Sequence, residues 1–194
     1  MNLSLSTLPE TYHVYDSKAI LTNIFIFIPV LYILYKQPKS TLSYILALHI
    51  TCIAIMSTYY HMKPNDDRLT YDMLSVATTT ALVYIIVYPS TYSWLLYLVS
   101  IITVVLWRKT QSLLLYSLFI IGTPLYIGYT YYNSKYNVND YILLIIGTLC
   151  LLRLLDRATI EYHIFDISNH AWKHILSGIH ILLVIVFLQK IKKI

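Results

Sequence analysis

The sequence predicts an all-α fold: a seven-transmembrane helix bundle forming one polytopic domain over residues 1–194. Three observations predict it. First, 58% of the residues are hydrophobic and only 12% are charged, about half the charged share of an ordinary soluble domain. Second, the mean hydropathy is +0.64. Third, apolar stretches of the length that crosses hydrocarbon, ~20 residues, recur seven times with short connectors between them. Other classes drop out. The net charge of +5 is scattered, and no basic run is interleaved with aromatics, so nucleic-acid binding has no support. The first 17 residues are polar and mixed, so no removable signal peptide is expected. Cys52 and Cys150 lie in apolar runs outside any metal-ligand spacing. Both read as buried packing residues without a disulfide.

The helices follow in order. The first, about 18–35, reads KAILTNIFIFIPVLYILY, and 40–60 reads STLSYILALHITCIAIMSTYY. The third, 69–88, opens on LTYDML; Asp66 and Asp67 before it read as a solvated turn after Pro64. The fourth, 91–107, follows the weakest boundary, Pro89-Ser90. In the fifth, 111–131, Pro124 should kink the helix. The sixth, 140–155, carries Arg153 about a turn from its end, within reach of Asp156. The seventh, 168–188, begins SNHAWKHILSG. Trp94, Trp107 and Trp172 fall at helix ends, as interfacial aromatics do.

Seven crossings put the termini on opposite sides. Lys and Arg counts near the two faces are nearly equal, so the positive-inside rule sets no orientation. The ending KIKKI is similar to a dilysine retrieval signal. It would make the C-terminus cytosolic and the address the endoplasmic reticulum or Golgi membrane. Membrane-edge lysines are also common without that role.

The same topology gathers the costly polar residues at one depth of one face. Ser57 and His61 end the second helix, Asp72 starts the third, and His170 and His174 start the seventh. Ser57 and His61 are spaced i, i+4 and share a helix stripe, as do His170 and His174. An HxxxH turn can offer two imidazoles to one metal. His61 would supply a third, and a catalytic zinc wants three protein ligands with a fourth place open. Such a zinc makes water nucleophilic near neutral pH. Asp72 suits water orientation and proton transfer, and Ser57 suits a developing oxyanion. Taken singly each residue has an ordinary reading: a solvated interfacial histidine, a dipole-favoured aspartate, a small packing serine.

The stretches MSTYYHMKPNDDRLTYDML (56–74) and HAWKHILSG (170–178) resemble the membrane hydrolase superfamily that includes the alkaline ceramidases and the adiponectin/progestin receptors. The match is strong at these motifs and hydropathic between them. The resemblance implies an amidase that cleaves ceramide to a sphingoid base and a fatty acid. It implies zinc on His61, His170 and His174, with Asp72 and Ser57 as catalytic residues. Two departures stand out. The family's calcium-binding acidic segment contains tryptophan. Here LPETYHVYDSKAILTN lacks it and offers only Glu10 and Asp16, which makes a calcium site doubtful. Lys173 stands where the family commonly has an aromatic, and should snorkel to the headgroups.

Other histidines are not promoted. His49 should pack on a neighbour or line a substrate cavity, His180 should face elsewhere, and His13 and His163 belong to polar segments. The alternative to a hydrolase is a receptor-like or membrane interaction protein of the same superfamily with a structural zinc. A metal-free helical scaffold is the third. The expected partners are the bilayer and a ceramide-like lipid, and short loops leave little room for an obligate protein partner.

Overall fold

The computed structural model describes residues 17–36, 40–157, 163–164 and 167–194. Glu10, His13 and Asp16 lie outside them, and so do the side chains of Arg153, Asp156, Arg157 and His163. The chain is a helical bundle: α1 (Ser17–Thr22), α2 (Ile24–Lys36), α3 (Thr41–Met62), α4 (Asp66–Val87), α5 (Leu95–Thr110), α6 (Leu114–Tyr131), α7 (Asn139–Arg157) and α8 (Asn169–Lys190). A 3-10 turn at Tyr92–Trp94 leads into α5. Between α7 and α8 lies a two-residue antiparallel pair, His163–Ile164 with Ile167–Ser168.

Six helical units are long and apolar enough to cross a membrane, α1 and α2 counting together as one. The described apolar stretch of α7, Asn139–Leu152, is shorter. Large apolar side chains face outward, among them Leu31, Leu98, Leu118 and Leu143. Such a surface is stable against lipid and not against water. The chain is a multi-pass membrane protein.

Local chemistry sets the helix ends. Asn65 caps α4 by accepting from the Arg68 amide at 2.9 Å, so α4 begins three residues before the hydropathic stretch. Asp66 and Asp67 are therefore not a solvated turn. They form the first helical turn, where carboxylates favour the dipole, and both pair with Arg108, at 2.6 and 2.8 Å. Asp72 consequently lies nearly two turns inside α4. Ser168 caps α8 by accepting from the Ala171 amide, and Ser40 caps α3. α6 runs on through Pro124.

The first span is broken at Asn23, where the sequence predicts one continuous helix. The Asn23 amide is buried and its Nδ2 donates to Thr58 Oγ1 on α3 at 3.2 Å. Pro29 lies within α2 and brings no N–H, which leaves the carbonyl four residues back, Phe25, without its helical donor. That carbonyl sits against Gly178 of α8, where a Cβ would collide with it.

Packing divides the core in two. A large cluster joins α2, α3, α4, α7 and α8, with Ile50, Leu82, Ile185 and Leu188 fully buried. A smaller one, with Tyr60, Met73 and Val104, centres on Trp107. Trp107 is thus 1% exposed and not interfacial, whereas Trp94 is exposed. Cys150 is exposed on the outer surface rather than packed, Cys52 is half-buried, and both are free thiols. α1 and α2 pack on both α3 and α8, and so stand between them.

Candidate metal centre

The site forms where the last turn of α3 meets the first turns of α8. His61 is the penultimate residue of α3, and His170 and His174 lie on one stripe of α8. Ring centroids are 4.7 Å apart for His61 and His170, 5.0 Å for His61 and His174, and 5.1 Å for His170 and His174. One ligand nitrogen from each lies within 4.8 Å of the others. The Nε2 atoms of His61 and His170 are 3.1 Å apart. Two imidazole nitrogens on one tetrahedral zinc stand roughly 3.3 Å apart, given zinc–nitrogen bonds of about 2.0–2.1 Å. His61 and His174 are buried, and His170 is half-buried.

Whether a metal fits can be judged from one atom. Nε2 of His174 is buried and has no hydrogen-bond partner, and such an atom normally costs folding free energy. Its ring lies 5.0 and 5.1 Å, centroid to centroid, from the other two imidazoles, and a cation shared by the three rings could satisfy it. Three neutral nitrogen donors with no competing carboxylate in the set suit zinc or another borderline divalent ion. The three histidines could hold a metal ion.

The helices that carry these ligands do not pack closely on each other; α1 and α2 fill the space between them. Thr58, which accepts from Asn23, lies three residues before His61. Gly178, which meets Phe25, lies four residues after His174. The spacer is thus fastened to both ligand helices within about one turn of the imidazoles. Sequence reasoning missed Asn23 and Gly178. Their signals were an amide inside an apolar run, which is expensive in hydrocarbon, and one of only four glycines in the chain.

The remaining candidates sit nearby in different states. Ser57 is buried on α3, one turn before His61. Asp72 is half-buried on α4, which packs against α3, and its carboxylate is not part of the three-ligand group. Counted from the helix starts, Asp72 is about 9 Å into α4 and His174 about 7.5 Å into α8, at 1.5 Å per residue. Lys173 is half-buried. The other described histidines are held elsewhere. His49 Nε2 hydrogen-bonds the Tyr97 hydroxyl at 2.9 Å, and His180 Nδ1 hydrogen-bonds Thr148 Oγ1 at 2.9 Å.

The chain matches no protein-family model, no curated protein and no solved structure.

Proposed function

We propose that the chain is a zinc-dependent membrane amidase, an alkaline ceramidase-like hydrolase that cleaves ceramide to a sphingoid base and a fatty acid. One observation carries the reading: three imidazoles from two helices that barely touch converge within 4.8 Å. His61, His170 and His174 would hold zinc. When bound, zinc supplies a Lewis acid and a water that is nucleophilic at neutral pH. The Asp72 carboxylate would orient the attacking water, hold its proton and pass it to the leaving amine. The Ser57 hydroxyl donates to the carbonyl oxygen as charge develops on it. The centre lies near one end of the bundle, and with that end at the membrane interface it would be within reach of a bilayer lipid's amide. Calcium is not part of the proposal.

Seven crossings belong to the same reading. For α3 to end where α8 begins, the chain between them must cross an even number of times. α4, α5 and α6 are long enough, so α7 supplies the fourth. An endoplasmic reticulum or Golgi address with a cytosolic C-terminus rests on the dilysine-like ending. Weighing against that signal, Ile191 is buried and Ile194 packs on the core, whereas such a signal is read from an extended tail.

A second reading, a receptor-like or interaction protein with a structural zinc, is favoured by the centre's position as a bridge between α3 and α8. The deciding experiment combines zinc stoichiometry with product analysis on labelled ceramide. Wild type should carry one zinc per chain and release fatty acid. His170→Ala should lose both zinc and turnover. Asp72→Ala should keep zinc and lose roughly 10²–10⁴ in rate. Bound zinc without turnover of amide or ester lipids hands the site to the structural reading. Far less than one zinc per chain sinks both.

A further inference from the structure

The chain's net charge is not spread over the molecule. The bundle end opposite the histidines is fixed by contacts across it: Tyr32 donates to Gln189 at 3.2 Å, and the Lys190 ammonium lies 5.9 Å from the Tyr141 ring. The end of α2, the α6–α7 connector and the segment after α8 meet there. Among the described residues they bring Lys36, Lys135, Lys190, Lys192 and Lys193, against the single acid Asp140. In sequence terms, the stretches 36–40, 132–140 and 190–194 carry six lysines and one acid, the formal +5 of the whole chain, and the rest of the sequence balances eight Lys and Arg with eight Asp and Glu.

The two ends also treat their cations differently. Near the histidines, Arg108 is neutralised by Asp66 and Asp67, and Arg68 lies on the Tyr59 ring. Among the described residues, no lysine at the opposite end has a carboxylate partner. Lys36, Lys135, Lys190 and Lys192 are exposed. Two lysines lie near tyrosine rings instead, Lys190 on Tyr141 and Lys135 on Tyr136 at 5.5 Å. The segment after α8 is not loose. Lys192 takes a left-handed conformation (φ 58°), and the Lys193 amide bonds back to the Leu188 carbonyl at 2.9 Å. Ile191 and Ile194 anchor this turn on the core. The lysines are therefore pinned at the rim of the apolar surface. Two more polar atoms of this end, Ser134 Oγ and Gln189 Nε2, are buried without a hydrogen-bond partner.

We propose that this end is a binding surface for anionic phospholipid headgroups, with Lys190, Lys192 and Lys193 at its centre and Lys36 and Lys135 beside them. A leaflet that carries acidic lipid presents negative charge at the depth where these ammonium groups are held. Each lysine near such a surface contributes about fivefold in binding, so three contribute on the order of a hundredfold. The surface does not depend on the chemistry at the other end.

The test uses the full chain in a neutral detergent, titrated with phosphatidylserine, phosphatidylcholine or inorganic phosphate. Bound lipid is counted by native mass spectrometry. Wild type should retain phosphatidylserine at least tenfold better than phosphatidylcholine, and less as salt rises. The triple variant Lys190→Gln, Lys192→Gln, Lys193→Gln should lose on the order of a hundredfold. The triple variant Lys63→Gln, Arg68→Gln, Lys109→Gln at the opposite end should bind as wild type does. Lys36→Gln with Lys135→Gln, which leaves the anchored turn intact, should lose an intermediate amount and covers the case in which the first variant fails to fold. Equal retention of both lipids, equal loss in the opposite-end variant, or inorganic phosphate displacing the lipid at equal concentration would overturn the proposal.

Discussion

Gly178 lacks a side chain because the Phe25 carbonyl occupies the space where one would be. The cause lies four residues further along α2, at Pro29, which removes the donor that would hold that carbonyl in its own helix. Gly178→Ala must push α2 away from α8 by a large fraction of an ångström. Thermal unfolding in detergent should show a loss of about 1–3 kcal/mol, the range for overpacking a filled core. Gly147 is the matched control. It is also helical, it is exposed, and nothing lies within 4 Å of where its Cβ would go. Gly147→Ala should be neutral or stabilising by up to about 1 kcal/mol, the helix-propensity gain. Gly178 also lies one turn beyond His174, so Gly178→Ala should weaken metal binding and Gly147→Ala should not.

At the scale of elements, the unusual piece is the broken first span. α1 and α2 act as a spacer that keeps α3 and α8 apart, tied to one by Asn23 and Thr58 and to the other by Phe25 and Gly178. An ion shared by His61, His170 and His174 would be a direct link between α3 and α8 at their histidine end. Anything that binds the folded state alone stabilises it, by about 2.7 kcal/mol at a hundred times its dissociation constant. Chelator should therefore lower the melting temperature of wild type, and zinc should restore it. His61→Ala should melt at the lower temperature with or without zinc. Unchanged melting in both proteins would remove the bridge. The histidine set was legible in the sequence because i, i+4 spacing and depth along a span are local properties. The spacer was not, because it depends on which helix faces which. The start of α4 shows a subtler gap. Hydropathy begins at Leu69, but the helix starts with the cap at Asn65, and Arg108, the partner of Asp66 and Asp67, is more than forty residues away. Trp107 stood at the end of an apolar run and read as interfacial; the packing of α3, α4 and α6 around it buries it.

For the whole molecule, the parity of crossings is the quantity that the histidines constrain. His61 ends α3 and His170 opens α8, with Nε2 atoms 3.1 Å apart. Arg108 at the end of α5 reaches the start of α4, so α4 and α5 form a hairpin that returns to the histidine end. Under the proposed seven crossings, α6 then leaves it and a crossing by α7 brings the chain back. The described apolar stretch of α7 is shorter than the other spans, and labelling single cysteines from one side of sealed vesicles tests whether it crosses. With Cys52 and Cys150 replaced by serine, Lys63→Cys and Gln111→Cys should react from the same side. If α7 and α8 cross in opposite directions, as the seven-crossing proposal requires, Asn137→Cys and Lys193→Cys should both react from the other. A chain whose α7 stayed in one leaflet would put positions 137 and 193 on opposite sides of the membrane. His61 and His170 would then face different compartments, and no ion could be shared between them.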